Sequence, residues 1–600
     1  MKKIICGTLI AAAMFGSVSC EEWLDVNTNP NGPDQVVDPH LYLAPMLSEL
    51  AIALQNDGRY IGKYTSNFFS AAQDVTWDRH GYASASDAAA TLWRSTYYTM
   101  GLNLRDMILK AEEQQKWEFV GIGHALQAYN WQMTTDQHGE IIMSEAFDPT
   151  KSSFNYDKQE VIYAEVKRLA ELAIADFAKA KANPHPNPMS KDADLIYAGD
   201  ISKWEKFAYG LLAINANHLS NKSNYEPDKV VEYVDKALAS NADDAAIKFL
   251  GTNTANSSFF GPSRGNIGSA GINLRQSKFI VGLLDGTNPA LRDVEYEKVT
   301  VPNSNPPRDT VRVKLVANLP VPKTKDPVAA FNTQHLKDPR IAAMLAPAGD
   351  GQYRGIGFSG TGEYTTTTQR PLNLWGTASD VTSATTVGKY LFQNNASFPI
   401  MTYAQLQFIK AEALYRSNKK AEALVAYKNG VEKHMDFTRT FLTTAEERTA
   451  FDSRKAAYMT NPWLIPTNTE PSTTPEGFPI PYLTLSHIML QKYIAQWGWG
   501  FLETWSDLRR YHYFDKYDEA SRTNVPGNPV TVGSDLNLND NVFTAFQINP
   551  TMFGVNGGMP AYRIRPRYNS EYLWNAEALR QIGGFDAAFH TYETWFSKKN

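Results

Sequence analysis

Cysteine is nearly absent: the 600 residues include only Cys6 and Cys20. That excludes a disulfide framework and any cysteine-built zinc or iron–sulfur centre. A basic excess is also missing. Lysine and arginine number 58 against 63 acidic residues, giving a formal charge of -5 and a pI of about 6.2. Such a balance argues against sequence-independent nucleic-acid binding. Mean hydropathy is -0.39, and no interior run reaches the ~20 apolar residues of a spanning helix, which excludes a polytopic helical membrane protein. The eleven histidines show no metal spacing, and neither a His-Glu-x-x-His nor a Gly-x-x-x-x-Gly-Lys motif occurs. What is present is apolar material, 43% hydrophobic and 12% aromatic. That is enough for a large core and excludes disorder.

The N-terminus reads as a secretory signal over residues 1–19. Lys2 and Lys3 precede an apolar stretch, Ile4 to Val18, too short to cross a bilayer. Ser17 and Ser19 lead into Cys20 in the manner of a bacterial lipobox, with Ser17 standing where leucine is usual. Cys20 is therefore expected to be acylated as the first mature residue. Loss of Lys2 and Lys3 takes the charge from -5 to -7. Several acyl chains anchor a protein stably without a spanning helix. Residues 20–40, rich in Asn, Pro and Gly, read as a tether.

The rest reads as one mainly α-helical domain over 41–600. In 41–250, apolar residues recur at helical spacing through 91–115, 117–133, 157–182 and 226–240. Ser202 to Glu205 reads as a capping box that starts a helix carrying Trp204, Phe207 and Leu211. Residues 251–400 are a loop-rich insertion with short strands such as Val311–Val316. Loops of such length are usually functional. Helix returns over 401–515, first at a second capping box, Thr402 to Gln405. A break at Ser417-Asn418 makes a hairpin of the tetratricopeptide type, with any repeat degenerate. Loops and a short helix fill 516–600.

Two motifs and one cluster invite catalytic readings. Gly261-Pro262-Ser263-Arg264-Gly265 fits a nucleophile elbow, yet Ser and Asn surround it where a strand and a helix are needed. Gly355 to Gly360 fits G-x-G-x-x-G, but a threonine run follows instead of a phosphate-binding helix. Asp136, Glu140, Glu145 and Asp148 suggest paired carboxylates; beside the Gly139 and Pro149 turns they read as solvated acids.

Several segments resemble one family. They are Tyr197 to Asp200 with Trp204 to Ala208, Met401 to Ala413, Gln491-Lys492-Tyr493 with Glu503 to Arg510, and Arg563 to Tyr572. Asn27 to Asn31 and Asp136 to Phe147 add two more, and Asn569 departs from the usual Pro of the C-terminal block. In this order they resemble the SusD/RagB-like outer-membrane lipoproteins. The resemblance implies a helical SusD-like fold on tetratricopeptide-like pairs and a cell-surface protein that captures a nutrient, usually a glycan and sometimes a peptide. It implies a SusC-like TonB-dependent β-barrel transporter beneath it, with this chain as a hinged lid. It implies no catalysis and no cofactor. Glu21 and Glu22 resemble a surface-export signal of such lipoproteins. Its shared motifs are scaffold motifs and do not identify a ligand.

A sugar offers C–H faces to aromatic rings and hydroxyls to polar groups. Trp93, Trp131, Trp204, Trp497 and Trp505 fall in helical patterns and read as core. Trp77, Trp375 and Trp463 lie in polar or turn-rich surroundings. The expected ligand contacts are Trp77, Arg79, Tyr82 and Trp375, followed by Tyr353 and Asn373. Peptide capture, a surface-anchored hydrolase and a purely structural scaffold are the competing readings.

Overall fold

The computed structural model describes residues 38–599, apart from 72–73, 84–85, 269–272, 287–291, 301–308, 318–336, 359–362, 365, 378–385, 463, 474–478, 514–515, 519–522, 526–541, 544–545, 547, 550 and 552–554. The signal, Cys20, Glu21, Glu22 and Trp463 lie outside the described residues.

The fold is mostly helical. Its principal helices are α1 (His40–Tyr64), α2 (Gly101–Glu113), α3 (Trp117–His138), α4 (Gln159–Ala182), α5 (Ile201–His218), α6 (Pro227–Lys236), α7 (Tyr403–Arg416), α8 (Lys420–Arg439), α9 (Ala445–Thr460), α10 (Leu485–Gln496) and α11 (Phe501–Arg510). From α2 to α9 each helix packs on the next, with α6 passing directly to α7 across the insertion; α10 then packs back on α7 and α8, and α11 packs on α10. A strand pair makes this continuity possible. Strand β1 (Ala245–Ile247) pairs antiparallel with β2 (Phe398–Met401), so the insertion leaves and re-enters the helical stack at one place.

Local chemistry sets the helix ends. Thr402 Oγ1 accepts the Gln405 N–H at 3.2 Å while Gln405 Oε1 accepts the Thr402 N–H at 3.4 Å, the expected capping box. Asn418 adopts φ +66° between α7 and α8, which the sequence marks with its Ser-Asn break. Gly430 lets those two helices close: a Cβ there would stand 2.8 Å from the Phe408 ring. The start of α5 differs from expectation. Asp200, not Ser202, is the cap, accepting the N–H groups of Ser202 at 3.0 Å and Lys203 at 3.3 Å. An aspartate caps as well as a serine and stands two residues earlier, which leaves Glu205 to pair with Lys181.

The stretch 91–115 is also not one helix. Helix Thr91–Arg94 runs into a π-helical turn, Ser95–Thr99, before α2 begins. Gly101 admits the wide turn, because a Cβ there would lie 2.0 Å from the Thr96 carbonyl oxygen. A second π-helical turn spans Tyr568–Trp574. In the insertion, strands Arg292–Thr300 and Asp309–Ala317 form an antiparallel hairpin that includes the expected Val311–Val316.

Several of the segments that carry the resemblance converge in the core. Lys492 Nζ lies 2.8 Å from Glu503 and 3.0 Å from Asp507. Arg510 grips Glu412 at 2.7 and 3.0 Å and Asp507 at 2.6 Å. His218 bridges Glu503 at 2.8 Å and Asp136 at 3.3 Å. Arg509 donates to the carbonyls of Asp136 and Tyr562 at 2.6 and 2.8 Å, and its guanidinium lies 4.0 Å from the Trp505 ring centroid. Lys492, Arg509, Arg510 and His218 thus meet Glu412, Glu503, Asp507 and Asp136, all buried. Buried charge is tolerated only when paired in this way.

Candidate functional site

The expected contacts divide by burial. Trp77 is 5% exposed, its ring 4.7 Å from Tyr60 and 5.6 Å from Tyr64, and its indole N–H finds no acceptor among the described residues. Trp375 is 3% exposed, packs on Gly268 and donates its N–H to the Phe260 carbonyl at 2.7 Å. Asn373 is buried beneath it, and its side-chain oxygen receives the N–H groups of Trp375 at 3.1 Å and Thr377 at 3.0 Å. These three were expected in exposed loops; the structure corrects this and makes them loop anchors. The polar residues around Trp375 serve the turn that inserts it. Tyr353 is half-buried beneath Lys337, whose Nζ lies 4.9 Å from its ring. Arg79 is half-buried, with Nε lacking a hydrogen-bond partner.

The loop after α1 and the insertion do meet, through pairing of Phe68–Ser70 with Leu274–Gln276. Trp77 and Trp375 nevertheless pack against different neighbours. Tyr82 belongs to another grouping. Its ring is 4.9 Å from His590 and 5.5 Å from the Arg565 guanidinium, which also lies 5.0 Å from Tyr568 and 4.9 Å from Tyr572. Burial pushes the Tyr82 hydroxyl up to about 12, so it is a neutral hydrogen-bonding group at physiological pH.

The catalytic readings also resolve. Ser263 Oγ lies 2.9 Å from Ser257 Oγ and 2.8 Å from Asn394 Oδ1, with neither a histidine nor an acid among its partners. It pins a turn. Asp136 is not solvated as expected; it is fully buried in α3, receiving Gln132 at 2.9 Å as well as His218. Glu140 pairs with Arg563, Glu145 receives the Asn155 N–H at 2.7 Å, and Asp148 receives the Thr150 N–H at 2.9 Å. Gly355 crosses over Ser277, with a Cβ position 2.2 Å from its carbonyl oxygen, while 359–362 lie outside the described residues. Among the described residues no cluster of His, Cys, Asp or Glu fits a metal ion.

The two π-helical turns face each other across a cleft of about 800 Å³. Trp93, Tyr97 and Tyr98 form one wall, Phe147 and Phe154 another, and Arg567 with Glu571 a third. The cleft is held from behind. The Tyr97 hydroxyl donates to the Ile142 carbonyl at 2.7 Å and accepts its N–H at 3.0 Å. Tyr156 donates to Glu571 at 2.6 Å. The Asn575 amide binds both the N–H and the carbonyl of Phe154 at 3.0 Å. Burial pushes the Glu571 carboxyl up from the usual carboxylate range. Trp93 is 2% exposed, yet its indole N–H neither bonds within the described protein nor is sealed from solvent. A buried indole usually finds an acceptor. At the rim Tyr98 is 63% exposed, with the Arg94 guanidinium 5.9 Å from its ring centroid.

Aromatic rings, an indole donor without a partner among the described residues, guanidinium groups and a carboxylate together suit a ligand with flat apolar faces and hydroxyl edges. Sequence reasoning missed this site. Tyr98 and Glu571 are remote in the chain, and Tyr97 and Tyr98 fall within 91–115, which helical spacing reads as one continuous helix. The one usable signal was three aromatics and an arginine within Trp93 to Tyr98.

Comparison with known proteins gives a consistent frame. The sequence profile of the SusD-like family described as "Starch-binding associating with outer membrane" matches residues 30–305 and 325–526. A search of curated protein sequences finds no match. Among solved structures, a SusD homologue from Parabacteroides distasonis shares 18% identity at a TM-score of 0.60, covering 94% of this chain and 98% of that one. A chitin-binding SusD homologue from Flavobacterium johnsoniae shares 17% identity at 0.59, covering 94% and 99%. A SusD/RagB protein from Bacteroides thetaiotaomicron shares 20% identity at 0.56, covering 94% and 100%. These likenesses show the fold.

Proposed function

The chain belongs to the SusD-like family of outer-membrane-associated proteins, and from that premise we propose that it captures a glycan at the cell surface in the cleft between the two π-helical turns. The observation that carries this reading is the cleft itself, with the Trp93 indole in one wall and the exposed Tyr98 ring at its rim. In this reading Cys20 carries the lipid anchor and a SusC-like TonB-dependent transporter receives the ligand from the chain acting as its lid. No bond is made or broken. Among the described residues no helix is long and apolar enough to cross a membrane, which is compatible with attachment through lipid. Starch and chitin, the glycans in the family description and in one relative's title, are the first to test.

Tyr98, Arg94 and Arg567 are proposed to touch the ligand. Tyr82, from the original expectation, is proposed to support the opposite wall through Arg565. Peptide capture is the second reading, favoured by Arg94, Arg567 and Glu571 lining the same cleft.

The test uses the chain from Glu21 onward in native gels cast with starch, chitin-derived and other polysaccharides, and calorimetry with a peptide mixture. Retardation by one glycan is expected. Tyr98→Ala, at an exposed ring that the fold does not need, is expected to weaken that binding about tenfold, ~1.4 kcal/mol. Peptide heat without any glycan retardation transfers the site to the second reading.

A further inference from the structure

A second cavity of about 650 Å³ lies beyond the cleft and shares Ala146 and Phe147 with it. Its character differs. Arg105, Gln127, Asp148 and Glu165 line it, with Trp131 among them. One side chain, Phe147, therefore stands between an aromatic chamber and a polar one.

Phe147 is held there with unusual firmness. It adopts φ +68°, a left-handed conformation that side chains other than glycine rarely take. Its carbonyl receives Arg105 Nη1 at 2.7 Å. Its ring rests on Gly101, where a Cβ would come within 2.6 Å, and its centroid is 6.5 Å from Trp131. Such a conformation persists only where the surroundings over-determine it, and it concentrates at ligand sites.

A second observation is independent of the backbone. Trp131 is 4% exposed, and its indole N–H has no partner among the described residues and is not sealed from solvent. The Gln127 amide, half-buried, likewise makes no hydrogen bond within the described protein. A nearly buried indole without an acceptor is unusual. Each chamber is thus lined by one such indole, Trp93 in the first and Trp131 in the second.

We propose that one chain-like glycan crosses Phe147, placing a sugar ring in the aromatic chamber and a linked ring in the polar one. The ligand class is then an oligosaccharide or the interior of a polysaccharide, and a free monosaccharide fills only half of the site. This rests on the glycan-capture reading. Trp93 and Trp131 supply hydrogen bonds to hydroxyls on opposite sides of the saddle, and Gln127 adds specificity in the second chamber.

The experiment is calorimetry with two length series: glucose, maltose and maltoheptaose, and N-acetylglucosamine, its β-linked dimer and its hexamer. The longest member of the bound series is expected to bind at least tenfold tighter than its monosaccharide. Gln127→Ala is expected to reduce that advantage severalfold, whereas Tyr98→Ala weakens every length. Phe147→Gly keeps the positive φ without strain but gives up the ring's packing on Gly101, so it should fold with a lower midpoint and lose the length advantage. Equal affinity at all lengths, or an undiminished length advantage in both Gln127→Ala and Phe147→Gly, overturns the two-chamber proposal while glycan capture stands. Binding of neither series overturns glycan capture for these sugars, and the proposal with it.

Discussion

Lys492→Met is expected to cost about 3–5 kcal/mol of folding stability, the usual penalty for removing one partner from a buried ionic group. The lysine is fully buried between Glu503 at 2.8 Å and Asp507 at 3.0 Å. Methionine fills the space but removes the cation the two carboxylates share, leaving Glu503 with His218 alone and Asp507 with Arg510 alone. Arg510 cannot serve both, since it already grips Glu412 and Asp507. The exposed Lys410–Asp235 pair is the control; Lys410→Met should move stability by less than ~1 kcal/mol. Denaturant midpoints for the two variants measure the contrast. Equal midpoints would show that the core network contributes no more than a surface pair.

A second large effect is on pH. Burial opposes a charge on His218, but the carboxylates of Glu503 and Asp136 outweigh it and hold the imidazole up to about 9. In the unfolded chain a histidine titrates near ~6.5. A raised folded value gives stability that is fully present below pH ~6.5 and is lost as pH rises through about 9. The size is ~3 kcal/mol, from ~1.36 kcal/mol per unit. Unfolding midpoints at pH 6, 7.5 and 9.5 should therefore decline, and His218→Gln should be less stable at pH 6 with a flatter profile. The acid side has the opposite sign. Burial opposes ionisation of Glu412, but Arg510 prevails and holds it down to about 2, so its contribution is lost as pH falls from ~4.3 toward that value. An unchanged alkaline slope in His218→Gln would place the titrating group elsewhere.

The parts of this molecule legible in the sequence are those set by near neighbours. The Thr402 capping box and the Asn418 break depend on three or four consecutive residues, and both stand where expected. The core tryptophans followed from helical spacing, and Trp204, Trp497 and Trp505 are at most 1% exposed. Trp375 was misplaced for a physical reason. Polar neighbours such as Asn373 describe how a loop's backbone is satisfied, not where its large side chain goes. Asp136 was misplaced similarly, because its partner His218 comes from another helix and Gln132 alone gave no sign of a buried cluster. The cleft was hidden most completely. It needs two π-helical turns from opposite ends of the chain, and helical periodicity at 3.6 residues does not distinguish a π turn from ordinary helix.

The measurement that tests glycan capture in the cleft most directly is a crystal structure of the chain from Glu21 onward with the retarding glycan soaked in. Density for a sugar ring beside Tyr98, within hydrogen-bond reach of the Trp93 indole N–H, is the predicted result. An empty cleft with the glycan ordered elsewhere on the surface would contradict the assignment of this site.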